Sequence, residues 1–197
     1  MDTTPQSDSP SPASHTAPVP RWMRLAAWAA LLLPLPSVAW RIAMLAGVDV
    51  GLGLASFYRS TAQTVSYVLA LDVLQVLAAV LVFGLVCRWS ERVPRWVPVL
   101  RGRRIPPVVP GILGTVGAAA LLWIIGTLLV AFTRAWLGIT DGWTPDEGMG
   151  AGHRALLFAC YAPFLLWPLA VAATVAGHWT GLRAGRAARK NHAISPR

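Results

Sequence analysis

The segment LALDVLQVLAAVLVFGLV (residues 69–86) is apolar except for Asp72 and Gln75. Ionisable residues at membrane depth are rare and mark ion pathways or buried ion pairs. Gln75 follows Asp72 by three positions, so both lie on one helix face. Arg41, in the apolar block before them, could reach the carboxylate from an adjacent antiparallel helix. The pattern predicts an intramembrane polar cluster of Arg41, Asp72 and Gln75.

Two interpretations of this cluster remain open. It can be a proton or cation site, or it can be structural, either as a buried pair that fixes the register of two helices or as a neutral buried Asp72. We favour the pair, because a single acid without a second acid or a histidine nearby makes a poor proton relay.

The other reactive side chains do not combine into a recognisable site. His153 and His178 are 25 positions apart, at opposite ends of one apolar block, where haem ligands would need a shared depth. Cys87 and Cys160 form no C-x-x-C motif. The acidic loop at 138–152 lacks the alternating oxygen ligands of a calcium loop. We therefore expect no enzyme, no cofactor and no metal.

Composition indicates the class of protein. The chain of 197 residues is 55% hydrophobic and 13% charged, with a mean hydropathy of +0.55, whereas soluble domains carry about 25% charged residues. The apolar residues form four blocks of the roughly 20 residues that a spanning helix needs, without the alternation of barrel strands. The sequence predicts an all-α polytopic membrane protein, a bundle of four transmembrane helices. They cover about 22–47, 62–87, 108–132 and 155–177.

The remaining segments complete the organisation. Residues 1–20, rich in Pro, Ser and Thr, are expected to be a disordered cytoplasmic tail, and 181–197 a basic cytoplasmic tail. The transmembrane domain is then 21–180. The first block resembles a signal peptide, but a long tail precedes it and its apolar run continues past the apparent cleavage site. We expect an uncleaved helix kinked at Pro34 and Pro36.

Charge predicts the orientation. The formal charge is +9, but the cations flank apolar blocks, and no soluble segment is long enough to present a folded basic face to nucleic acid. With both termini inside, 13 of the 17 basic residues lie on the inner side. Because cytoplasmic loops carry the excess of Lys and Arg, we expect a plasma (inner) membrane protein with both termini in the cytoplasm.

The inner loop RWSERVPRWVPVLRGRRIPP (88–107) holds six arginines and repeated prolines. Proline prevents a continuous helix, so the loop is expected to lie along the inner membrane surface. Its arginines would face anionic lipid headgroups while a tryptophan anchors it. The candidate headgroup contacts are Arg92, Arg95, Trp96, Arg101, Arg103 and Arg104.

This loop also carries a resemblance. WSERVPRWVPVLRGRRIPP is similar to the loop between helices two and three of uncharacterised actinobacterial four-helix integral membrane proteins. The Arg-rich, Lys-poor composition agrees with such an origin. The resemblance implies the four-helix membrane part, residues 21–180, and implies no activity and no functional residue.

The third block offers a face of small residues, Gly111, Gly114, Gly117 and Ala118. Small residues let membrane helices approach closely, where the hydrophobic effect supplies no attraction. Packing inside the bundle and contact with a second copy are equally compatible with this face.

Two functions follow from these observations. The first is a non-catalytic scaffold or accessory subunit that binds partner proteins or anionic lipid, because no catalytic set of residues is recognisable. The alternative is a small transporter or channel subunit for protons, cations or a small solute. It would use Asp72 and Gln75 in a homo-oligomer, because four helices rarely enclose a path of their own.

Overall fold

The computed structural model describes residues 19–86, 106 and 108–194. Within these ranges the chain forms helices and no strand. Four helical spans are long and apolar enough to cross a membrane: Arg21–Leu45, Ala62–Gly84, Val108–Trp136 and Ala151–Ala187. The predicted all-α architecture with four such spans is confirmed. The helices are α1 (Arg21–Leu32), α2 (Leu35–Leu45), α3 (Ala55–Arg59), α4 (Ala62–Gly84), α5 (Val108–Trp136) and α6 (Ala151–Ile194).

The first span is interrupted where the sequence places its prolines. α1 ends at Leu32 and α2 begins at Leu35, since Pro34 and Pro36 have no amide hydrogen to donate to the helix ladder. The buried Ser37 hydroxyl donates to the Pro34 carbonyl at 2.8 Å. The Ala30 carbonyl, whose helical donor would be the amide that Pro34 lacks, accepts from the Trp167 indole at 2.8 Å.

The short helix α3 was not predicted; it lies in the connection between the first two spans. The next helix, α4, starts at a capping box in which the Thr61 hydroxyl accepts from the Thr64 amide at 3.2 Å. In the same connection Gly51 has φ +76, and a Cβ atom there would overlap the His153 side chain. Only glycine fits at this close approach between the 46–61 connection and the start of α6. Val50 of this connection and Met149 of the 137–150 connection belong to one buried cluster, and we call the end where the two connections meet the loop end.

α6 is the central helix of the bundle. α1, α2 and α5 pack along it, and α4 packs on α1 and α2. Direct packing between α4 and α5 is sparse. Leu85, directly after α4, lies beside Gly114 of α5, away from the loop end. The buried core has two parts. One is centred on Trp167 and Val171, and the other, near the loop end, on Trp40 and Leu157.

α5 is attached to α6 by a narrow stripe. Its buried residues are Gly111, Ala118 and Ile125, spaced by seven. A Cβ atom on Gly114 would lie 2.9 Å from Val175, whereas one on Gly117 would meet nothing within 4 Å. Of the two roles open to the small-residue face, the structure uses Gly111, Gly114 and Ala118 for packing within the bundle, and Gly117 points away from it.

α5 and α6 extend beyond the predicted boundaries. α5 continues to Trp136 and α6 runs without interruption from Ala151 to Ile194, where we expected a helix ending near 132 and another covering about 155–177. Polar residues can extend a spanning helix into water, so hydropathy marks the membrane crossing and not the helix end.

Candidate functional site

The structure brings together the three residues of the predicted polar cluster. Arg41 on α2 forms an ion pair with Asp72 on α4, with Nε 2.5 Å from Oδ1. The Arg41 Nη2 atom donates to Gln75 Oε1 at 2.6 Å. Arginine suits this arrangement because its planar guanidinium presents several donors in fixed directions. The two spans are thus joined by two charge-assisted hydrogen bonds at membrane depth.

The cluster is also anchored to the helix break. The Gln75 side-chain amide donates to the Pro34 carbonyl and to the Ser37 hydroxyl, each at 3.1 Å. Neither Pro34 nor Ser37 was assigned to the cluster from the sequence, because their part depends on which way the Pro34 carbonyl and the Ser37 hydroxyl face in the packed bundle. Gln75 therefore connects the ion pair to the interruption between α1 and α2.

A fourth side chain reaches the cluster from α6. The Tyr161 hydroxyl lies 3.4 Å from Arg41 Nη1, and the Arg41 guanidinium carbon lies 6.0 Å from the centre of the Tyr161 ring. Tyr161 also packs edge to face on Trp40, with ring centres 5.6 Å apart. Sequence reasoning missed Tyr161; its position within a predicted spanning segment was the one available signal.

The geometry favours a closed ion pair over an open pathway. Asp72 is 4% exposed and Arg41 occupies one of its oxygens. The second oxygen, Oδ2, is buried and has no hydrogen-bond partner among the described residues. A buried carboxylate held by an arginine on the neighbouring helix fixes the register of α2 against α4.

An apolar cavity of about 450 Å³ adjoins this cluster, with Arg41 in its wall. The cavity lies between α2, α4, α5 and α6 towards the loop end. All three tyrosines of the chain, Tyr58, Tyr67 and Tyr161, line it. Nothing in the sequence indicated the cavity, since it depends on how four helices are rotated.

At the loop end, the acidic segment connects α5 to α6. The Trp136 indole donates to Asp146 at 2.7 Å, and Arg154 forms an ion pair with the same carboxylate at 3.2 Å. The hydrogen bond from Trp136 and the charge of Arg154 hold the pKa of Asp146 below its ordinary value of 3.8. This carboxylate has a structural role.

Two further expectations concern metal ligands and lipid headgroup contacts. In the described part of the chain, no group of three or more His, Cys, Asp or Glu side chains could hold a metal ion. The predicted headgroup contacts lie outside the described residues: Arg92, Arg95, Trp96, Arg101, Arg103 and Arg104.

Comparison of the chain with protein-family models, with curated proteins and with solved structures finds no match.

Proposed function

We propose that this integral membrane protein is a non-catalytic scaffold or accessory subunit that binds partner proteins or anionic lipid in the plasma membrane. One observation carries the proposal. Trp123, at the middle of α5, is 74% exposed, the largest exposure among the large hydrophobic side chains of the described residues.

The position of Trp123 is unusual for a lipid-facing side chain. It lies roughly 20 Å from either end of α5, at 1.5 Å per residue. Tryptophan prefers the two membrane interfaces, where its indole N–H finds a polar partner that the hydrocarbon core lacks. Tryptophan is also enriched among residues that dominate binding energy in protein interfaces. A partner helix would account for its placement.

The surroundings of Trp123 suit such a contact. Successive residues turn by about 100°, so Trp123 lies almost opposite Ile125, which packs towards α6. Val116, Ala120 and Thr127 fall on the same face as Trp123 and are exposed. This face of small and apolar residues, which we call the Trp123 face, allows close approach of a second helix.

Anionic lipid is the second expected ligand, at the end of the molecule opposite the loop end. Arg183, Arg186 and Lys190 are exposed on the last turns of α6. With both termini in the cytoplasm, as the charge distribution favours, these cations face the anionic cytoplasmic leaflet. Single cysteines introduced after removal of Cys87 and Cys160 test this orientation, because labelling of the 88–106 loop by a membrane-impermeant reagent from outside the cell would refute it.

The partner is tested by site-specific photo-crosslinking in cells. A benzophenone amino acid at Ala120 should give a defined protein adduct, identified by mass spectrometry as a partner or a second copy. The same group at Leu25, 70% exposed on α1, is the matched control and should give none. Trp123→Ala should abolish the adduct at Ala120. Equal crosslinking from both positions, or an adduct unaffected by Trp123→Ala, would contradict the proposal.

The transport alternative is supported by one feature, the unpartnered Oδ2 of Asp72. A transported cation or proton could bind there. It would first have to reach a side chain that is 4% exposed and already paired with Arg41. The scaffold role requires no such access, and we therefore prefer it.

A further inference from the structure

We propose that the apolar cavity at the loop end holds an acyl chain of a membrane phospholipid. This site is separate from the Trp123 face and from the basic end of α6, and it goes beyond the proposed function.

The shape of the cavity indicates access from the bilayer. Leu52, Tyr58, Trp143 and Pro145, from the two connections, line it at the loop end. Along its side, α4 and α5 pack sparsely against each other. An occupant therefore reaches the cavity between these two helices, from the hydrocarbon region of the membrane.

The dimensions suit one hydrocarbon chain. The α5 wall runs from Ile125 to Trp136, which is roughly 16 Å at the rise of an α-helix. The volume of about 450 Å³ falls in the range of small-ligand sites, roughly 300–1,000 Å³. Aromatic and aliphatic side chains form nearly the whole wall, which favours an apolar occupant.

The charged group of the wall, Arg41, is partnered within the protein. The Arg41 guanidinium donates to Asp72, Gln75 and the Tyr161 hydroxyl. Because Asp72 balances the charge of Arg41, the wall does not require an anion. A hydrocarbon chain can therefore occupy the cavity.

The polar end of the cavity lies well inside the bilayer. Asp72, the partner of Arg41, is ten residues from the start of α4 at Ala62, about 15 Å along the helix. The cavity extends from this depth to the two connections at the loop end. An acyl chain that enters between α4 and α5 therefore lies within the hydrocarbon core of the membrane.

The test uses the full-length protein in phosphatidylcholine vesicles containing a small fraction of phosphatidylcholine with a diazirine on one acyl chain. After illumination, labelled residues are identified by mass spectrometry. Val68 and Leu157 line the cavity but are only 4% and 5% exposed, so bulk lipid cannot reach them. We expect adducts at both positions.

Filling the cavity provides the decisive comparison. Ala162→Trp places an indole in the wall and should remove most of the labelling at Val68 and Leu157. Ala159→Trp, an exposed position of α6 outside the lining, is the matched control and should leave it unchanged. Leu129→Trp, on α5, replaces Ala162→Trp if that variant is not monodisperse in detergent.

Phospholipid retained through detergent purification gives a second readout. It should decrease in Ala162→Trp and stay unchanged in Ala159→Trp. No adduct at Val68 or Leu157 in the wild type, or adducts that persist in both cavity-filling variants, would overturn the proposal. Labelling by a diazirine fatty acid but not by the phospholipid would overturn the assignment of the ligand.

Discussion

Removing the charge of Asp72 tests the role of the ion pair directly. Asp72→Asn leaves the Arg41 guanidinium without its counter-ion, while the asparagine oxygen can still accept one hydrogen bond. Gln75 Oε1, 2.6 Å from the guanidinium, stays in place. The variant therefore isolates the loss of charge compensation from the loss of hydrogen bonding.

The size of the effect follows from the surroundings of Arg41. Leaving one member of a buried pair uncompensated costs about 3–5 kcal/mol in soluble proteins. Here the Arg41 side chain is 16% exposed and begins four residues from a helix end, so it can extend towards the polar layer. We expect a loss of about 2–3 kcal/mol, which lowers the melting temperature by roughly 4–12 °C for a chain of this size.

The assay is thermal unfolding of the purified protein in one mild detergent. Asp72→Asn combined with Arg41→Gln should recover part of the loss, because neither charge is then stranded. Asp141→Asn, at an exposed carboxylate in the 137–150 connection, is the control and should have little effect. A single Asp72→Asn variant as stable as the wild type would refute the pair. If that variant also abolished proton or cation flux in liposomes, the transport alternative would replace it.

Two further predictions concern packing and pH. Gly114→Leu should lower the free energy of unfolding by about 1–3 kcal/mol, because its side chain would collide with Val175, while Gly117→Leu should not; thermal unfolding of both variants decides this. The lowered pKa of Asp146 contributes stability above pH 3.8 that is lost as the pH falls through the folded-state value. Trp136→Phe should reduce this acid-dependent loss in melting temperatures measured from neutral pH to below 3.8, and an unchanged profile would refute the role of the indole.

The spans could be predicted because the bilayer leaves few alternatives. A backbone in hydrocarbon must satisfy its own hydrogen bonds, so four apolar blocks of sufficient length imply four helices. The proximity of Arg41 to Asp72 followed from the same constraint, since a charge in an apolar environment needs a partner at similar depth. Both conclusions depend on the hydrocarbon environment and on the length of the apolar blocks, and not on how side chains pack.

The parts that sequence reasoning missed depend on helix rotation and on local backbone geometry. Tyr161 contributes to the cluster because α6 turns that face towards α2, which one sequence does not reveal. The Pro34 carbonyl accepts from Gln75 in addition to the Val38 amide, and this second bond exists only because α4 packs beside the break. The cavity forms only when four helices are packed in their final positions. Hydropathy describes each helix by itself and gives none of these relations.

The two proposals on binding use different faces of α5 and can fail independently. Ile125 and Leu129 face the cavity, whereas Trp123 lies on the side away from α6. Trp123→Ala should abolish crosslinking from Ala120 and leave the acyl-chain labelling of Leu157 intact. A cavity-filling side chain at position 162, on α6, should do the reverse. If either substitution abolished both signals, two separate sites would not explain the results. A shift of the whole of α5, which only a narrow buried stripe attaches to α6, would then account for the loss of both.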